Sequence, residues 1–157
     1  MSAHLLAIPL HPAHAASLSL RPGAVQALAG MAPLPQLARA YHAAGPAWTV
    51  LDGDTPIACG GVVRFWPGVG ECWCWVGTGV DAVPVAFARL ARRIVGALVR
   101  EHRFHRLQLH ARLDDVRANR FATHLGFTLE GRCPGFGSTQ SGQATYNLYG
   151  RFRTWKE

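Results

Sequence analysis

Cysteine, histidine and arginine are the side chains of this chain with the most chemistry to offer, and their spacing narrows what that chemistry can be. The four cysteines, Cys59, Cys72, Cys74 and Cys133, lack the spacing of a structural zinc site, and Cys72 and Cys74 would share one face of a strand. They read as reduced, core or near-core residues. Among the eight histidines, "HPAH" at 11–14 and "HRFH" at 102–105 set rings close in sequence, yet neither brings a carboxylate or thiolate to coordinating spacing. No metal site is expected, and solvated histidine is the default.

Arginine is the concentrated charge. The chain carries a formal +7 at neutral pH, and nine of its fifteen arginines fall between Arg89 and Arg120, against Glu101, Asp114 and Asp115. Such a segment suits an anionic visitor: nucleic acid, an acidic protein or a phosphorylated small molecule. It also fits a compositional habit in which arginine replaces lysine, since Lys156 is the only lysine. Nucleic acid is the least favoured partner, because only Phe104 and Phe121 interleave with these arginines and the helices carry no recognised binding signature.

The elements that must position these groups are bounded by composition. A chain of 157 residues, 49% hydrophobic and 16% charged, is sized for one domain over residues 1–157 with a single core. No apolar run approaches the roughly 20 residues of a membrane span. The N-terminal "HLLAIPLHPAHAASLSL" is broken by proline and histidine and has no basic region ahead of it, so it reads as a first strand and a loop rather than a secretory leader. A cytoplasmic protein is expected.

Residues 4–10 read as a short strand, followed by helical segments at about 22–31 and 34–44. From Trp48, "WTVLD", "IACGGVVRFW" and "ECWCWVG", separated by the turns "GDTP" and "PGVG", make a three-stranded antiparallel meander. Gly60 and Gly61 imply a bulge or a close backbone approach in its middle strand. "PVAFARLARRIVGALVREH" is the clearest helix: Phe87, Leu90, Ala91, Ile94, Leu98 and Val99 recur at helical steps, with Arg89, Arg92, Arg93 and Arg100 on the other faces. "RLQLHARL" alternates as a strand with one buried face. In "DDVRANRFATHLGFTLEG", Asp114 or Asp115 can cap a helix, Ala118, Phe121, Ala122 and Leu125 form its buried stripe, and Gly126 offers the left-handed stop. "FTLEGR" and "QATYNLYGRF" close the sheet as strands, with "RCPGFGSTQSGQA" between them as a mobile loop. The order gives an α/β fold, a mixed, mostly antiparallel sheet flanked by helices.

With that order in place, "DDVRANRFATHLGFTLEG" resembles the last block of the GCN5-related N-acetyltransferase (GNAT) superfamily, in which an Asn, an Ala three residues later and "LGF" precede a strand. The resemblance spans about residues 48–150 and implies a GNAT-like fold, acetyl-CoA as cofactor and transfer of its acetyl group to an amine on a small molecule or protein. It places the cofactor where "ECWCWVG" and "RLQLHARL" splay apart. Backbone groups at Trp75 and Val76 would meet the pantetheine arm, and the pyrophosphate would lie at the start of the helix near Pro84. Val83, Ala86 and Ala88 fall at the family's phosphate-loop positions, with Phe87 among them and Arg89 adding charge. Asp115, Ala118 and Phe121 complete the implied cofactor-binding set.

The chain departs from the family in that loop, whose usual Arg or Gln and glycines are here valine and alanines, and at Ala122, where many members have a tyrosine acid. Proton transfer is needed on both sides of such a reaction. Glu71 is the expected base and Tyr146 the expected acid. The departures support an alternative, a catalytically degenerate structural or interaction protein of the same fold. The layout and the tryptophan-rich "ECWCWVGTGV" also resemble acetyltransferase-like proteins of tailed bacteriophages and prophages. The acceptor site is expected at about 22–46 and 133–145, and a homodimer through C-terminal strands, as in many relatives, is a further expectation.

Overall fold

The computed structural model describes residues 4–28, 30–139 and 142–153. The chain runs β1 (Leu5–Pro9), α1 (Pro12–Ala16), α2 (Pro22–Ala27), α3 (Leu34–Ala44), β2 (Ala47–Asp52), β3 (Thr55–Trp66) and β4 (Val69–Val76). A 3₁₀ turn at Thr78–Ala82 leads into α4 (Pro84–Arg100), β5 (Arg106–Arg112), α5 (Val116–His124), β6 (Thr128–Thr139) and β7 (Gly142–Phe152). The strands form one seven-stranded sheet in the order β1-β2-β3-β4-β5-β7-β6. Every pairing is antiparallel except β4 with β5. A parallel neighbour demands a crossover, and α4 supplies it.

Strand alternation sends the two sets of side chains to two different helix layers. On one face Leu98, Phe104, Leu107, Ala122 and Phe127 are buried under α4 and α5 with Val62 and Tyr149. Phe104 and Leu107 are fully buried, each contributing about 1.5–3 kcal/mol by removal from water. On the other face Leu37 and Ala38 of α3 and Ala15 of α1 cover Cys59 and Trp75. That second layer contacts β3.

The "LGF" block folds as its sequence demands. Asp115 Oδ1 accepts from Ala118 N at 3.0 Å, capping α5. Gly126 has φ +88°, and the paired bonds Phe127 N to Ala122 O and Gly126 N to Thr123 O, 3.1 and 3.0 Å, close the helix as a Schellman motif.

Two expectations change. Residues 12–16 form a short helix rather than a loop, because His11 and His14 cap each other's backbone N–H groups, a role histidine rarely signals in sequence. "RCPGFGST" is strand, not a mobile loop: β6 stays paired with β7 as far as Thr139, with an irregularity between Cys133 and Gly137. Pro134 and Gly135 (φ +68°) absorb it, and Gly137 admits the Tyr146 ring where a Cβ would lie 2.3 Å from it. Of the rest of that expected loop, Gly142, Gln143 and Ala144 open β7, and residues 140 and 141 lie outside the described residues. Gly61 serves a close approach, since a Cβ there would meet Pro46 O at 2.4 Å; the irregularities of the meander lie instead at Val50/Leu51 and Arg64/Trp66.

Candidate active site

The sheet opens in one place. β4 and β5 pair only through Val69 with Arg106, Gly70 with Leu107 and Glu71 with Gln108. Beyond that point β4 stays with β3 to Val76 and β5 stays with β7 to Arg112, so the two parallel strands diverge. Gly77 N donates to Ile57 O of β3 at 2.8 Å. By alternation Trp75 and Trp73 also turn their backbone groups toward β3, while Cys72, Cys74 and Val76 turn theirs into the opening.

The far end of the opening is occupied by the chain itself. Arg21 N donates to Val76 O at 3.0 Å, and Thr78 N to Ser19 O at 2.7 Å, with Leu20 bridging Gly77. Beyond the last β4–β5 pairing, at Glu71 with Gln108, the strand edge facing the opening is that of Cys74 and the Cys72 carbonyl, while the expected Trp75 turns to β3 and Val76 O is taken by Arg21. Trp75 is buried, 4% exposed, and serves the aromatic packing below.

Where the strands part, Glu71 meets His110: the carboxylate Oε1 lies in hydrogen-bond contact with the imidazole Nδ1. The register explains it, because Glu71 is level with Gln108 and His110 follows two residues later on the same face. Both side chains are largely buried, 24% and 11% exposed. The Phe136 ring, carried by the irregular part of β6, stacks on His110 at 3.9 Å and 10°. Tyr146 of β7 meets Phe136 edge-on at 5.3 Å. Burial pushes the Tyr146 hydroxyl above the ordinary tyrosine range; Arg112 opposes the shift, and Asp114 and Asp115 add to it. The expected base and acid, Glu71 and Tyr146, thus project from the same sheet face, joined through His110 and Phe136.

The flank toward α3 is aromatic. Tyr41 lies 5.0 Å from Trp73 and 5.5 Å from Trp75, and the two indoles are 4.5 Å apart. Burial raises the Tyr41 hydroxyl, and the Glu71 carboxylate adds to the shift, so this cluster borders the acid–imidazole pair.

The start of α4 completes the opening. Val83 occupies the N-cap position with no side-chain bond and Pro84 follows, so the N–H groups of Val85 and Ala86 have no intrahelical partner. Phe87 N is bonded to Val83 O at 3.0 Å, which makes Ala86, Phe87 and Ala88 ordinary helix rather than an open loop. The charge that Val83 lacks stands nearby: Asp81 binds Arg21 at 2.7 Å and Arg117 at 2.5 Å. The Arg117 hydrogen bond is the largest cause holding the Asp81 carboxyl below its usual range. Arg89 is exposed one turn further on. Phe121 stacks on Phe87 at 5.5 Å and 19°, tying α5 to this turn, while Asp115 and Ala118 are engaged in the α5 cap. Ala122 is in the core, 1% exposed, and brings no hydroxyl.

His110, Arg21, Arg117, Tyr41 and Phe136 went unassigned in the sequence reading. None of them left a usable signal, because the pairing that sets His110 beside Glu71 is a matter of sheet register. Among the described residues no group of three or more His, Cys, Asp or Glu side chains could hold a metal ion, and no helix is long and apolar enough to cross a membrane.

No family model matches the chain, and no curated protein matches it. Solved structures do. The ribosomal-protein-S5-alanine acetyltransferase of Vibrio fischeri superposes with TM-score 0.74 over 100% of this chain and 98% of its own, at 14% identity. A GNAT-family acetyltransferase of Bacillus anthracis gives 0.75 over 96% of each chain at 11% identity. An N-acetyltransferase of Staphylococcus aureus gives 0.73 over 96% and 99% at 9% identity. Identities this low show the fold: a single-domain α/β, mostly antiparallel sheet of the GNAT type.

Proposed function

We propose that the chain is an acetyl-CoA-dependent N-acetyltransferase acting on a primary amine. The observation that carries the reading is the Glu71–His110 pair at the point where β4 and β5 part. The residues around the opening fit an acyl-CoA: the strand edge beyond the last β4–β5 pairing, at Cys74 and the Cys72 carbonyl, the α4 amides of Val85 and Ala86, and the guanidiniums of Arg21 and Arg117 in place of a charged loop residue. The Ala86 methyl is the one feature that resists close approach of a phosphate. Acetyl-CoA would supply an acyl group activated as a thioester.

The chain's own part is proton handling and positioning. With Nδ1–H donating to Glu71, the lone pair of His110 sits on Nε2, which takes a proton from an approaching ammonium. The imidazolium so formed is held by the Glu71 carboxylate, the division of labour familiar from acid–imidazole dyads. Glu71, expected as the base, becomes the group that orients and stabilises it. Tyr146, whose hydroxyl burial pushes above the ordinary tyrosine range, offers a hydroxyl donor on the same face. Phe136 over the imidazole excludes water from one side of the ring.

Thermal unfolding with acetyl-CoA tests the reading, with ATP as a polyanion control. Saturation at a hundredfold above the dissociation constant adds about 2.7 kcal/mol, a rise of roughly 5 to 10 °C for a domain of this size. A saturable rise with acetyl-CoA alone, followed by amine-dependent release of thiol, supports an enzyme. No shift at millimolar acetyl-CoA overturns it and leaves a degenerate member of the fold.

A further inference from the structure

The outer face of α4 carries a groove that begins beside Ala86 and Arg89, at the cofactor end of the helix, and runs on past Arg100. Arg89, Arg92, Arg93, Gly96 and Arg100 fall within one stripe of the helix at 100° per residue, and all four arginines are exposed. A concavity of ≈ 770 Å³ lies along this stripe, and a second of ≈ 340 Å³ continues it past the end of α4. They share Gly96, Arg100 and Arg151 as walls, so the two form one groove. No carboxylate lines either part. Among the described residues, no acid lies within ion-pair distance of Arg92, Arg93, Arg100 or Arg151, whereas Arg21, Arg106, Arg112 and Arg117 are all paired.

This end of α4 lies away from the β4–β5 opening. Arg89 belongs to the opening, but Arg92 to Arg100 extend about 12 Å further along the axis. Gly96 shapes the floor: a Cβ there would come within 3.0 Å of Arg100 Nη1, so the absent side chain lets that guanidinium lie across the helix. Phe104 and Phe121, the aromatics within the arginine-rich segment, face the core and cannot serve this surface. The fold supplies a different one: Phe152, 64% exposed, lines the groove at its far end beside His105.

We infer that this groove binds single-stranded nucleic acid, with Arg92, Arg93, Arg100 and Arg151 on the phosphodiester backbone and Phe152 stacking a base. A row of guanidiniums without carboxylate partners, of which Arg151 also donates to Leu125 O at 3.5 Å, ending on an exposed aromatic ring is the arrangement that holds a strand without reading its sequence. An acidic protein surface would match the charge but gives Phe152 no flat partner.

Fluorescence anisotropy of labelled oligo(U) and oligo(dT), about twelve nucleotides long, with the full-length protein tests this between 50 and 300 mM salt. Binding should weaken with salt at a logarithmic slope near −2.8, about −0.7 for each of four phosphates neutralised. Arg93→Ser/Arg100→Ser should reduce the slope by about 1.4 and weaken binding at least tenfold at low salt. Phe152→Ala should weaken it at least fivefold with the slope unchanged. The charge-matched Arg39→Ser/Arg132→Ser, on exposed residues elsewhere, should stay within twofold, with melting temperatures confirming that each variant folds. No binding at 50 mM salt overturns the proposal. So does equal weakening by both arginine pairs, which would mean diffuse charge. Loss of the probe to saturating acetyl-CoA would assign the site to the cofactor, and polyglutamate binding as tightly as oligo(U), indifferent to Phe152→Ala, would assign it to acidic proteins; each result also overturns it.

Discussion

Two polar clusters flank the central strands from opposite faces of the sheet, and they are built on opposite plans. Under α5, Asn119 donates from Nδ2 to Arg112 O and Asp115 O at 2.8 and 2.7 Å, and its Oδ1 accepts from Asn147 Nδ2 and Tyr149 O–H at 2.8 and 2.7 Å. Only Asn147 Oδ1 is left without a partner there among the described residues. On the other face the Glu71–His110 pair uses one nitrogen and leaves the second for something else. A cluster that spends its hydrogen-bonding capacity on itself fixes the fold. One that keeps a basic atom in reserve, partly exposed, at a break in the sheet, is placed for chemistry.

The contrast breaks most sharply if turnover survives loss of the reserve. Glu71→Gln should lower kcat/KM by about 10²- to 10³-fold, since the imidazolium loses its counter-charge and the general-base contribution is of that order. The melting temperature should move by no more than about 2 °C, because Gln keeps the volume and can still accept from Nδ1–H. Steady-state kinetics beside a melt decides it: a destabilised variant with normal turnover would make Glu71–His110 another structural pair.

Asn119→Ala is the mirror experiment, with the opposite signature. It leaves the Asn147 amide and the Tyr149 phenol without their acceptor, while Arg112 O and Asp115 O keep their backbone donors, and the expected cost is about 3 kcal/mol, a fall in melting temperature of roughly 6 to 12 °C. Well below that midpoint, kcat/KM should stay within about threefold of wild type. A collapse of turnover in a folded variant would place the Asn119 network in the reaction and erase the distinction between the two faces.

The same division explains what could be read in the sequence. The α5 block was legible because its cap, apolar stripe and glycine stop act within a few residues of each other. So were α4 and the meander, whose periodicities are local. His110 was not, because its meaning depends on the parallel register that sets Glu71 beside Gln108 across the whole of α4. The pairing of Arg21 with Val76 and Asp81 is likewise a product of tertiary structure, and it occupies the Val76 carbonyl at the end of the opening. "RCPGFGST" was misread because Pro and Gly mark loops and strand irregularities alike; what distinguishes them is the Tyr146 ring that fills the space over Gly137.

The smallest effect compares the two helix starts that border the opening. α5 is sealed by its own Asp115, whose carboxylate takes the amide of Ala118; α4 begins at Val83 with no side chain over its amides. Asp115→Ala removes a cap worth about 1 kcal/mol and should lower the melting temperature by about 2 to 4 °C. Because the α4 amides are untouched, the stabilisation by saturating acetyl-CoA should keep its full size on the lowered baseline. Loss of that stabilisation would instead put Asp115 and Ala118 in the cofactor site, as the family resemblance implies, and would mean that α5 as well as α4 lends its first turn to the ligand.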